Sequence, residues 1–219
     1  MTTRARATVT VTGHATRSPR RRGYGELTRD EVVGAALRLT RRTGLANLSM
    51  RQLAAELGSP SMNAYYYVRN KDELLDLVGD AVLGEVDLPP TDLAWDRWIA
   101  ELFQNGRTVL LGYPGVAEHL LRRVEGFPNE ARLYQAISDV LKDAGFDTSV
   151  SDRTQRVMAY LLFGAVTSEL ATTAAAGEPA TMVFGDDDDV FRFGLDLMID
   201  GLKSRSGRRV GRPTPRASS

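Results

Sequence analysis

TRDEVVGAALRLTRRTGLANLSMRQLAAELGSPSMNAYYYVRNKDELL, residues 28–75, decides how the rest of the chain is read. It carries its own helix start signals. Thr28 with Glu31 forms a capping box, in which the hydroxyl takes a free backbone N–H and the carboxylate reaches back to the cap. Ser49 with Gln52 repeats the device, and Leu48 with Leu53 stand where a hydrophobic staple would fix the angle of entry into a second helix. Gly44 ends the first helix, and Gly58 supplies a backbone that tolerates positive φ and ends the second after Leu57. Ser59 and Pro60 restart the chain as a short helix, SPSMNAYYYV, because proline's missing N–H costs nothing in a first turn. Asn70 with Glu73 caps a further helix. Two helices about a Gly58-centred turn form a helix-turn-helix signature, whose second member faces outward to a major groove.

The apolar positions predict the packing. Val33, Ala36, Leu37 and Thr40 make the inward stripe of the first helix, with Arg38, Arg41 and Arg42 mostly outside it. Leu53, Ala54 and Leu57 face inward on the second, which leaves Arg51 outward, where a guanidinium can lie on phosphate or reach a guanine edge. Ala64 and Val68 turn inward on the short helix. Three consecutive tyrosines, Tyr65, Tyr66 and Tyr67, cannot share one face. Exposed phenols can hydrogen-bond phosphate, Asn63 can read adenine, and at least one tyrosine is expected to seal the small core instead. Lys71 would meet phosphate beside the Asn70 cap, where backbone N–H groups also favour an anion.

The combination L-x-x-R-x-L-A-x-x-L-G, a tyrosine pair after a short helix and a lysine past its end resembles the DNA-binding domain of the TetR family of bacterial transcriptional regulators. By that resemblance Arg51, Ser61, Met62, Asn63, Tyr65 and Tyr66 fall where the family contacts its operator. Tyr67 stands where many members carry histidine, which keeps a phosphate contact available. Val68 stands where many carry phenylalanine, so the packing beneath the short helix should differ slightly.

Length and composition agree with a globular chain. It has 219 residues, 42% hydrophobic and 26% charged, and no cysteine, which removes disulfides, thiolate metal sites and thiol nucleophiles together. No apolar run approaches the roughly 20 residues that span a bilayer, and the arginine-rich start lacks the apolar segment of a secretory signal. A cytoplasmic protein is expected. Net charge is zero but unevenly placed: residues 1–71 hold 13 basic against 4 acidic side chains, residues 72–203 hold 10 against 24, and the remaining 16 residues add five arginines. A basic front beside an acidic remainder points one end toward a polyanion, although two arginine-rich tails would leave a similar trace.

Four regions follow: a disordered basic arm over 1–23, a helix-turn-helix DNA-binding domain over 24–70, a regulatory and dimerisation domain over 71–204, and a disordered basic tail over 205–219. Arg20, Arg21 and Arg22 can reach a minor groove or remain a solvated tail. The helix begun at Asn70 runs to Leu88, where Pro89 and Pro90 break it, and so joins the basic module to the acidic one. Further helices are expected from Trp95 to Leu111, over 114–125, from Asn129 to Ala144, from about Asp152 to Ala176 and from about Asp187 to Lys203. No stretch alternates with period two, so the fold class is all-α with about nine to ten helices.

Trp95, Trp98, Phe103, Tyr113 and His119 are the candidate ligand-binding residues, lining an apolar cavity with a few polar groups; a tight core with capped polar edges is the alternative. VMAYLLFGAVTSELATTAAAG carries a ridge of small residues from Gly164 to Ala175. VFRFGLDLMIDGL carries two stripes, one of Phe191, Leu195, Met198 and Leu202 and one of Val190, Phe193, Leu197 and Gly201. One stripe can face the chain's own core and the other a second subunit, giving an intersubunit four-helix bundle over 152–176 and 187–203. W-x-x-W-I, YPGVAEHL, FGAVTSEL and FGLDLMIDGL are similar to regulatory domains related to the tetracycline repressor.

The resemblance implies a ligand-responsive regulator, a repressor that binds a palindromic operator in double-stranded DNA as a homodimer and is released by a small, largely apolar effector. It implies no cofactor, no metal and no membrane. An enzyme would need a nucleophile with its base or convergent metal ligands, and nothing assembles one. A helical interaction adaptor would account for the two stripes but not for Arg51, the tyrosines and Lys71.

Overall fold

The computed structural model describes residues 27–58, 66–123, 126–174 and 187–209. All of its regular structure there is helical: α1 Arg29–Thr43, a 3-10 turn Leu45–Asn47, α2 Met50–Leu57, α3 Lys71–Gly84, α4 Trp95–Leu111, α5 Val116–Leu121, α6 Pro128–Asp143, α7 Thr148–Ala174 and α8 Asp187–Arg209. The arm 1–23 and the short helix expected from Pro60, with Ser61, Met62, Asn63, Ala64 and Tyr65, lie outside the described residues.

The start signals operate as local chemistry predicts. Thr28 Oγ1 accepts the Glu31 N–H and Glu31 Oε2 accepts the Thr28 N–H. Ser49 Oγ accepts from Gln52 N, and Asn70 Oδ1 from Glu73 N at 2.8 Å. Of these three, the reciprocal half of the box forms only at Thr28: Gln52 Oε1 accepts the Ser49 hydroxyl at 2.7 Å instead of its backbone N–H, and the Glu73 carboxylate takes the backbone N–H of Arg69 at 2.6 Å, a bond that holds it below the usual carboxylate range. Gly58 sits at φ 59°, ψ 27°, a left-handed conformation that costs an L-residue roughly 1–2 kcal/mol. Gly58→Ala should therefore lower stability by about 1 kcal/mol in urea unfolding, without a change of fold.

Three expected boundaries move. α3 ends at Gly84, four residues before Leu88, because Glu85 N–H turns back to the Val82 and Leu83 carbonyls and closes the helix. α7 begins at Thr148 instead of Asp152, since Asp147 Oδ1 accepts the Val150 N–H and caps it early. α8 runs on from Lys203 to Arg209, with no proline to stop it before Pro213. The inward stripe of α1 is also shifted: Val32, Ala35, Ala36, Leu39 and Thr40 are buried, whereas Val33 and Leu37 are half-buried. Two adjacent stripes satisfy a 3.6-residue period, and the packing of α1 on α2 and α3 selects between them.

α3 is the spine. It touches α1 on one side and α4, α5 and α6 on the other, while α7 packs on α4, α5, α6 and α8. One apolar cluster runs through all of these contacts, from Val32 and Leu53 through Leu74, Val78 and Val82 to Leu110, Met158, Val166 and Leu202. The N-terminal helices thus share a continuous core with the larger bundle.

Candidate functional site

The N-terminal face begins with charges already in use. Arg38 Nε and Arg42 Nη2 both hold Glu56, at 3.0 and 2.7 Å. Arg42 first and Arg38 second keep that carboxyl below the usual carboxylate range. Arg51 is different: it is exposed on α2 and has no ion-pair partner among the described residues. Tyr66 is 85% exposed and stands edge-on to Tyr67, ring centres 5.2 Å apart. Tyr67 is half-buried and donates its hydroxyl to the Leu27 carbonyl. Of the three consecutive tyrosines, Tyr67 thus packs on the small core and spends its phenol inside the chain. Val68 is buried, 1% exposed, as the inward partner. Lys71 Nζ lies 3.3 Å from the Ala46 carbonyl, on the exposed rim beside the 3-10 turn.

A second feature lies at the far end of α3. Leu83 and Val86 from α3 and its exit, Leu102, Phe103, Gly106 and Leu110 from α4, Leu133, Tyr134 and Ile137 from α6, and Gln155, Ala159 and Leu162 from α7 surround about 550 Å³ of atom-free space, part of it open to solvent. Glu130 and Phe163 complete the lining. The wall is mainly carbon, which suits an apolar guest oriented by few polar groups.

Of the five candidate ligand residues only Phe103 lines this cavity, and the other four are engaged elsewhere. Trp98 is buried and donates Nε1–H to the Pro89 carbonyl at 3.1 Å. Trp95 packs edge-on against Phe146, ring centres 5.3 Å apart. Tyr113, 1% exposed, donates its hydroxyl to Glu85 at 2.7 Å, with the Arg41 guanidinium 4.5 Å over its ring. Burial, then the Glu85 bond, raise its pKa far above the ordinary phenol. His119 Nε2 pairs with Asp76 Oδ1 of α3 at 2.8 Å. These aromatics fix the junctions around the cavity rather than its wall. Gly106 and Gln155 line the cavity without having been singled out by the sequence: Gln155 belongs to a buried polar run with Ser151 and Thr154 at the start of α7.

The third feature is a face without a partner. On α8, Phe191, Leu195 and Leu202 are buried while Val190, Phe193 and Leu197 are 48%, 65% and 57% exposed. On α7, which packs against α8, Val157 and Tyr160 are also exposed. Both stripes of the last helix are therefore present, one covered and one open.

A family model described as tetracyclin repressor-like, C-terminal domain, matches residues 168–206. A repressor from Streptomyces coeruleorubidus, DrrR1, described as an HTH-type transcriptional repressor, is 30% identical over 233 residues, covering 91% of this chain and 86% of the relative. The chain belongs to the TetR family of transcriptional regulators. A second HTH-type regulator, from Saccharopolyspora erythraea, is 34% identical over 144 residues, 65% of this chain and 61% of that relative's length. Among solved structures, the TetR-family protein ActR from Streptomyces coelicolor in complex with actinorhodin superposes with a TM-score of 0.69 at 28% identity. The match covers 83% of this chain and 99% of ActR. As a TetR-family member the chain is a ligand-responsive transcriptional regulator, and no helix among its described residues is long and apolar enough to cross a membrane.

Proposed function

We propose that this TetR-family regulator is a cytoplasmic repressor that binds a palindromic operator as a homodimer and leaves it when a small, largely apolar effector fills the cavity between α3, α4, α6 and α7. Residues 24–70 serve as its DNA-binding domain and residues 71–204 as its regulatory domain. Arg51, Ser61, Met62, Asn63, Tyr65, Tyr66 and Lys71 form the operator face, with Tyr67 holding that face to Leu27. The chain works through binding equilibria.

The observation that carries this reading is the course of α3. Its first residue, Lys71, lies against the 3-10 turn of the N-terminal helices, and Leu83, near its last turn, lines the cavity. A ligand that prefers a displaced Leu83 and Val86 binds the off-operator state more tightly, and that difference in affinity is what releases DNA. Two subunits would set their recognition segments in successive major grooves, roughly 34–36 Å apart.

The test starts by sequencing the DNA fragments the purified protein retains, which should share an inverted repeat. On that fragment Arg51→Ala should raise Kd about 10- to 30-fold and reduce the salt dependence by about one unit, as expected for one lost phosphate or guanine contact. Dimer content and thermal stability should not change. An unchanged operator affinity would remove Arg51 from the docking face.

A further inference from the structure

We infer that the cavity selects apolar molecules that are not anionic and carry a hydroxyl or N–H donor, and that Gln155 is the residue which reads the donor. This rests on the reading of the cavity as the effector site.

Gln155 sits on α7, 3% exposed, within the cavity wall. Its amide nitrogen is fully used, donating to Ser138 Oγ at 2.8 Å and to Ser151 Oγ at 3.0 Å. Its Oε1 is buried and accepts no hydrogen bond from any described residue. A buried carbonyl left without a donor costs on the order of 1–3 kcal/mol. Apart from Glu130 and the half-exposed Tyr134, the remaining wall is hydrocarbon or aromatic, so a donor carried by the guest completes it. The same arrangement chooses against other ligands. A ligand with only acceptors would leave Oε1 unpaired, and a site built around a buried polar group penalises a guest that fails to pair it. An anion would meet the Glu130 carboxylate in the lining and no lysine or arginine among its described residues, so an acid of the same size is disfavoured by charge.

Three probes of one shape separate these possibilities: 1-naphthol, 1-methoxynaphthalene and 1-naphthoate, titrated by calorimetry at neutral pH into the full chain and into Gln155→Met, which keeps the length of the side chain. The wild type should bind 1-naphthol about tenfold more tightly than its methyl ether and at least tenfold more tightly than 1-naphthoate. In Gln155→Met the naphthol and ether affinities should converge to within about twofold, with the ether affinity kept or improved. The wild-type comparison requires no variant, so it decides the matter even if Gln155→Met folds poorly. Equal binding of naphthol and ether to the wild type, or a hydroxyl preference that survives in Gln155→Met, overturns the role of Gln155 while leaving the cavity as an effector site. Binding of 1-naphthoate as tight as that of naphthol overturns the charge selection. If none of the three probes binds the wild type, while operator binding is intact, both this inference and the effector reading of the cavity fall.

Discussion

Arg107→Met should lower the stability of the chain by about 3 kcal/mol, read as a fall in the urea midpoint at unchanged slope. Arg107 is 6% exposed and is the point at which three helices are tied. From α4 it donates Nη2 to Glu169 of α7 at 2.6 Å and Nη1 to Asp188 of α8 at 2.8 Å, and its guanidinium lies 5.7 Å from the centre of the Phe191 ring. Removing Arg107 takes the paired cation from Glu169, a partly buried carboxylate, while Asp188 keeps Arg192 at 2.9 Å; breaking such a pair from one side costs more than the pair itself contributes. The two carboxylates are about a quarter exposed, which holds the loss near 3 kcal/mol, the lower end of the roughly 3–5 kcal/mol that breaking a fully buried pair costs. A double replacement, Arg107→Met with Glu169→Gln, removes the stranded Glu169 charge and should regain at least half of the loss. If the single variant loses less than 1 kcal/mol, the cluster is not a structural tie.

Phe193→Asp with Leu197→Asp should convert the homodimer to a monomer in light scattering and weaken operator binding by about 100-fold or more. Both side chains stand on the open stripe of α8, 65% and 57% exposed, while Phe191 and Leu195, two positions before each, are buried. A two-fold interface places the same patch against itself, so each substitution enters twice and brings carboxylates together across the axis. The operator loss follows from linkage of the two half-site contacts. Once one reading segment is docked, the second binds at high effective concentration, and an avidity of 10²–10⁴ disappears with the dimer. The monomer should still melt cooperatively, because neither residue belongs to the covered core, but at a lower temperature that no longer depends on protein concentration, since the partner subunit's stabilisation is gone. A variant that remains dimeric and binds operator normally would move the interface to another face.

Much of the fold was legible because it is written in local signals. Thr28 with Glu31, Ser49 with Gln52, Gly44 and Gly58 act within one turn of themselves, and each does in the structure what its chemistry allows. The two stripes of α8 were legible for a related reason: a helix with apolar residues on opposite sides needs two coverings wherever it sits. The α1 stripe was not, since Val32 and Val33 satisfy the period equally and only the position of α2 and α3 separates them. The cavity was least legible. A clustering of aromatics marks where large side chains are used, and Trp98, Tyr113 and His119 are used to hold the Pro89 carbonyl, Glu85 and Asp76. The wall itself comes from four helices whose registers no local pattern relates. Asp147, which moved the start of α7, could have been read from its place before Thr148 as an N-cap.

The junction at Arg41, Leu45, Glu85 and Tyr113 bears on how such regulators can be recombined. Arg41 of α1 pairs with Glu85 at 2.8 Å, Glu85 accepts the Tyr113 hydroxyl, and Leu45 N–H donates to the Pro114 carbonyl at 2.8 Å. A chimera spliced only at residue 70, transplanting this DNA-binding unit onto a foreign sensor, would carry Arg41 and Leu45 away from the segment that receives them. The exchangeable unit is larger than the helices that touch DNA. It includes the 112–117 corner, and a graft that moves both together keeps its seam closed.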